Sequence, residues 1–143
     1  MSYVPAPTLA RSYAGDTATL QAVRRDVVDL LDRIEASADL MERSALVVTE
    51  LAANAVEAAP GRAYQVEVTV AAGVVVMSVR NHTTHGGAPP PRDAWRNPDA
   101  SAARGRGLPI IASLTDEAEV VRLDGDMVEV RVRLLFVARS AVG

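Results

Sequence analysis

Glu50-Leu51-Ala52-Ala53-Asn54-Ala55-Val56-Glu57, inside the longer run Met41–Ala59, is the stretch whose reading decides the fold. At about 100° per residue, Glu50, Asn54 and Glu57 fall at i, i+4 and i+7 and share one narrow stripe of a helix. Nearly everything else around that helix is apolar: Leu46, Val47, Val48, Leu51, Ala52, Ala53, Ala55 and Val56. A helix apolar on most sides is normally a buried one. A carboxylate and an amide buried with it cost several kcal/mol unless something hydrogen-bonds or coordinates them. The stripe is therefore expected to face a pocket. The same pattern also fits the wet side of a surface helix, and the rest of the chain must decide between the two.

Composition narrows the classes. A chain of 143 residues with 49% hydrophobic and 23% charged residues suits one globular domain with a real core. The absence of cysteine excludes a disulfide framework and a thiolate metal site. No basic segment followed by an apolar run opens the chain, and charges interrupt the apolar stretches well short of a membrane span. The expectation is a cytoplasmic protein without a membrane segment. A net charge of −3 argues against direct nucleic-acid binding. All fifteen basic residues are Arg, so lysine-dependent chemistry, including the P-loop kind, is excluded.

Residues 1–7 carry two prolines and little pattern and are expected to form a loose arm; residues 8–138 read as one domain and 139–143 as a tail. Thr8–Tyr13 suits a short edge strand. Leu20, Val23, Val27, Leu30, Leu31 and Ile34 then recur at helical spacing, with Asp16 as the expected N-cap. Ser37 or Asp39 opens the central helix, which stops at Pro60-Gly61. From Tyr64 the period becomes two: Tyr64–Val70 and Val74–Val79 form a hairpin about Ala72-Gly73, and the second strand ends at Arg80-Asn81.

His82–Ala103 has three consecutive prolines, Gly86-Gly87, and no apolar period. A long aperiodic loop in a small domain is usually functional, and a lid that orders on ligand binding is expected here. Gly105-x-Gly107-Leu108 opens a helix with Pro109 in its first turn. Glu117–Arg122 and Met127–Val137 make a second hairpin about Asp124-Gly125, with Val128, Val130, Val132 and Leu134 facing inward. Helices on one face of a largely antiparallel sheet give an α+β two-layer sandwich.

A helix opened by glycines offers free N–H groups and the positive end of its dipole to a phosphate, and Arg104 and Arg106 add charge. Such glycines also often just make a turn. His82 and His85 have HxxH spacing, yet with no other histidine or any cysteine a zinc site lacks ligands, and both read as solvated. No serine has a histidine partner at a suggestive spacing, so a hydrolase triad has no support.

Glu50-x-x-x-Asn54 on a helix, a hairpin ending in a polar residue, a long loop, then Gly105-x-Gly107-Leu108 opening a helix: in this order the motifs resemble a Bergerat-fold (GHKL) ATP-binding domain. Within it, Val47-Val48-Thr49-Glu50-Leu51-Ala52-Ala53-Asn54-Ala55 and Gly105-Arg106-Gly107-Leu108 resemble the small bacterial anti-sigma factor serine/threonine kinases, over roughly Arg11 to Phe136. The resemblance implies a mostly antiparallel mixed sheet, ATP and Mg²⁺ as cofactors, and a sigma factor and an anti-sigma antagonist as protein partners, with homodimerisation expected. By it, Asn54 holds the Mg²⁺ and Glu50 is the base for the attacking serine. Gly105, Gly107 and Leu108 offer backbone N–H groups to the phosphates, Arg104 and Arg106 assist, and Asn81 meets the base.

The chain departs from that family where an Asp commonly reads adenine, here Asn81; Thr83 and His85 stand where glycines are usual, and Ala58 where a His is common. A neutral acceptor in place of a charged one implies adenine binding weaker by about 1 kcal/mol, roughly fivefold. A rotating amide would also tolerate guanine. Two functions follow: an ATP-dependent kinase of an anti-sigma antagonist, or a catalytically weakened module that sequesters a sigma factor or antagonist. The ATPase half of a sensor histidine kinase is a third reading, and without a dimerisation helix bearing a phospho-accepting histidine the chain would be only a fragment of one.

Overall fold

The computed structural model describes residues 8–83 and 107–137. Among these residues, five strands and three helices follow in the order β1 (Thr8–Tyr13), α1 (Thr19–Arg33), α2 (Ala38–Ala58), β2 (Tyr64–Ala71), β3 (Val74–His82), α3 (Gly107–Leu114), β4 (Glu117–Arg122) and β5 (Met127–Leu135). The strands form one open sheet in the order β1-β2-β3-β5-β4, antiparallel in every pair. Each strand of a hairpin lies beside its partner, and the β3–β5 pairing joins the two hairpins. The expected α+β sandwich is the fold observed.

Alternation along the strands decides which face is covered. Val66, Val68 and Val70 on β2, Val75, Met77 and Val79 on β3, and Val128, Val130, Val132 and Leu134 on β5 are all buried. The register sets them opposite one another, as in Val66↔Val79 and Val79↔Val130. Helix α2 covers this surface, contributing Val47, Val48, Leu51, Ala52, Ala55 and Val56 to the same cluster, while α1 adds Val23, Val27, Leu30 and Leu31. No helix among the described residues is long and apolar enough to cross a membrane.

Helix boundaries follow local chemistry. Ser37 is the cap of α2: its hydroxyl accepts from the Leu40 N–H at 3.1 Å. Asp16 does not cap α1 directly. Its carboxylate accepts from the Ala18 N–H at 2.9 Å and closes a turn before the helix, which begins only at Thr19. β3 runs on through His82, further than its apolar alternation suggests, because Arg80, Asn81 and His82 all pair with β5. β5 ends at Leu135, two positions before the expected end at Val137.

The open face of the sheet carries charge. Glu129 is 2% exposed there, held by Arg80 at 2.6 Å and Arg131 at 2.7 Å. Two guanidinium groups compensate a carboxylate that would be costly to bury alone.

Ser44 on α2 is fully buried, and its hydroxyl has no hydrogen-bond partner among the described residues. A buried unpaired hydroxyl costs about 1 kcal/mol or more, and deleting it leaves little space. Ser44→Ala is therefore expected to raise the unfolding free energy by about 1 kcal/mol in urea denaturation. A loss of stability would show that the hydroxyl is bonded.

Candidate nucleotide site

Helix α2 packs against both α3 and β3, the elements that carry Gly107–Leu108 and Asn81. Glu50 and Asn54 lie one turn apart on α2, both half-buried, each followed by a buried residue, Leu51 and Ala55. Neither side chain makes a hydrogen bond or ion pair with the described residues. Glu57, third in the stripe, is exposed. The stripe is thus graded, from half-buried Glu50 and Asn54 out to the surface. Leu46 is 45% exposed, so the helix is less completely enclosed than its composition suggests.

Asn81 lies on the helix-facing side of β3, opposite Val128, and is 7% exposed. Its Nδ2 donates to the His82 carbonyl at 2.8 Å. The amide is therefore held in one orientation and not left to rotate. Gly107 begins α3, and Leu108 in its first turn is buried at 8% exposure. The first-turn N–H groups of a helix have no intrahelical acceptor, which is what a phosphate requires. Arg104, Gly105, Arg106, His85 and most of the expected lid, 84–103, lie outside the described residues.

His82 is not simply solvated. Its Nδ1 lies 2.6 Å from Asp126 Oδ1, while the Arg62 Nη1 donates to Asp126 Oδ2 at 2.9 Å. The Asp126 carbonyl also accepts from the Thr83 N–H at 2.9 Å and the Thr83 hydroxyl at 3.1 Å. Three separate segments are tied here: the α2–β2 turn, the end of β3 and the β4–β5 turn. Sequence reasoning missed this knot. The available signal was the register: a hairpin turning at Asp124-Gly125 sets Met127 opposite His82, with Asp126 beside it.

The hydrogen bond from His82, followed by the charges of His82 and Arg62, holds the Asp126 carboxyl below its ordinary value of 3.8 despite an opposing desolvation. A carboxyl depressed in the folded state stabilises above its unfolded pKa, and that stability is lost as pH falls through the folded value. Wild type should exceed Asp126→Asn in stability above about pH 4, with the gap closing at lower pH. Paired denaturation curves from pH 2 to 7 check this, and a gap independent of pH would contradict it.

Known proteins match most of the chain. A family model described as "Histidine kinase-like ATPase domain" matches residues 13–134. The chain belongs to that family. Nucleotide binding is accordingly the function its architecture serves. Among solved structures, the chain is similar to one in the crystal structure of the SiaB–SiaC complex from Pseudomonas aeruginosa. The identity is 16%, the TM-score 0.61, and 91% of each chain is covered. At that identity the likeness is one of fold. No curated protein sequence matches.

Asn54 and Glu50, an amide and a carboxylate one helical turn apart and unpaired among the described residues, are of the type that could hold Mg²⁺ beside a nucleotide. Mg²⁺ is held by one or two protein oxygens together with substrate phosphates, not by an all-protein cage. No group of three or more His, Asp or Glu that could hold a metal is present among the described residues.

Proposed function

We propose that this protein is an ATP-dependent serine/threonine kinase of the anti-sigma factor type, acting on a protein antagonist. The observation that carries the reading is the Glu50–Asn54 pair: two half-buried side chains without partners among the described residues, on the long central helix of a histidine kinase-like ATPase domain. The polar atoms of this pair are not occluded, and they are left open to a ligand. Asn54 Oδ1 would hold the Mg²⁺, which supplies neutralisation of phosphate charge when bound. The N–H groups of Gly105, Gly107 and Leu108, with Arg104 and Arg106 beside them, would cradle the phosphates.

Glu50 then serves as the base. Its carboxylate takes the proton from a partner serine or threonine hydroxyl as the hydroxyl oxygen bonds to the terminal phosphorus. The bond from that phosphorus to the bridging oxygen breaks, and the nucleoside diphosphate leaves with the electron pair. Such transfer depends on positioning and charge compensation more than on covalent chemistry. A solved neighbour of the same fold is a chain of a two-protein complex, which supports a protein as the partner.

The second reading, a module that binds its partner without phosphorylating it, is favoured by one observation: Asn81 stands where an Asp commonly reads adenine. Mass-spectrometric detection of phosphate transferred from Mg·ATP to purified candidate antagonists separates the two. Stable complexes formed with no transferred phosphate would support the binding module.

A further inference from the structure

Asp126, in the β4–β5 turn, joins the two elements that carry Asn54 and Asn81 although it belongs to neither. The His82 Nδ1 lies 2.6 Å from its Oδ1, and the Arg62 Nη1 donates to its Oδ2 at 2.9 Å. An ionised carboxylate only accepts, so His82 carries a proton on Nδ1. The Asp126 carbonyl takes the Thr83 N–H at 2.9 Å and the Thr83 hydroxyl at 3.1 Å. Each oxygen of this residue is thus engaged, by the α2–β2 turn on one side and by the end of β3 on the other.

Both attachments lead to the residues of the candidate site. The Arg62 N–H donates to the Ala59 carbonyl at 3.1 Å, and the Ala59 N–H donates to the Ala55 carbonyl at 3.3 Å. Ala55 directly follows Asn54. On the other side, the His82 carbonyl accepts from the Asn81 Nδ2 at 2.8 Å. One line of bonds therefore runs from the turn of α2 that holds Asn54, through Ala59, Arg62, Asp126 and His82, to Asn81. The turn bearing Asp126 is itself braced, since the Leu123 N–H donates to the Met127 carbonyl at 3.0 Å and Met127 pairs with His82. Elsewhere α2 and the sheet share an apolar core, whose attraction has no direction.

We infer that Asp126 is a positioning residue: by bridging Arg62 and His82 it holds Asn54 on α2 and Asn81 on β3 at the separation that one nucleotide spans. This rests on the nucleotide site proposed above. A ligand that reaches two anchors binds best when they are already in place. Without the bridge, binding must itself order the two elements, and that cost is taken from the affinity. Side-chain exposures of 47% for Arg62 and 44% for Asp126 limit the strength of the link, so its effect is about fivefold.

Calorimetric titration of the full chain with Mg·ADP tests this, at a temperature where circular dichroism shows each protein folded. Asp126→Ala and Arg62→Ala should each weaken ADP binding about fivefold. The double variant should bind no more weakly than Asp126→Ala, because no bridge is left to break. Asp126→Asn, with one acceptor oxygen for two donors, should lose part of the affinity and serves in place of Asp126→Ala if that variant does not fold. A contact that only stabilised the fold would lower the melting temperature and leave the affinity of folded protein unchanged. Wild-type affinity in the folded Asp126 variants, an unaffected Arg62→Ala, or losses that add in the double variant would each overturn the inference while leaving the nucleotide site standing. Failure of wild type to bind Mg·ADP would remove the site and the inference together.

Discussion

Glu50→Gln is expected to bind Mg·ATP as wild type does and to transfer phosphate roughly 10²–10⁴-fold more slowly. The exchange keeps the shape of a half-buried side chain that has no partner among the described residues, and removes only its capacity to take a proton. Stability should change little, because Glu50 makes no ion pair with the described residues. Single-turnover transfer to the antagonist, measured beside a nucleotide titration, separates the two effects. Full transfer by Glu50→Gln would assign the base elsewhere.

Gly15→Ala should be strongly damaging for folding. A Cβ at Gly15 would lie 2.2 Å from the Arg62 carbonyl oxygen and 2.6 Å from its nitrogen. Both obstacles are backbone, so no rotamer change relieves them. The same junction is fastened by the Gly61 N–H donating to the Gly15 carbonyl at 2.8 Å. Together they fix the β1–α1 link against the turn that ends α2, and so set where the Glu50–Asn54 helix lies on the sheet. Overpacking of this kind costs about 3 kcal/mol, and the melting temperature should fall by about 10 °C. A variant melting within a degree or two of wild type would mean that the junction gives way without cost.

Much of this architecture could be read from the chain because its signals are local. The periods of 3.6 in Met41–Ala59 and of 2 in Tyr64–Val79 and Met127–Leu135 each depend on neighbours a few residues apart. Ser37 as cap and Ala72-Gly73 as turn are likewise local; Ala72 and Gly73 both take positive φ, 49° and 81°. Contacts between distant segments leave no such trace. Arg62 and His82 meet Asp126 across 64 and 44 residues. Gly15, by its sequence, is an ordinary turn glycine, and only the approach of Arg62 gives it a structural duty.

The candidate site divides in the same way. The spacing of Glu50 and Asn54 is a property of one helix and was fully legible. The orientation of the Asn81 amide depends on a carbonyl that the β3–β5 pairing holds in place, and no spacing in the chain announces it. Asn81 read as a substitution alone suggests a weaker and looser base contact; with its hydrogen bond to His82 it becomes a directed acceptor.

The most direct test of nucleotide binding through the α2 pair is calorimetric titration of the intact chain with ATP, with and without Mg²⁺, alongside Asn54→Ala. Saturable one-to-one binding that strengthens with Mg²⁺ and is weakened severalfold or more in folded Asn54→Ala is the expected result. No binding by wild type at millimolar Mg·ATP, or equal binding by Asn54→Ala, would contradict it.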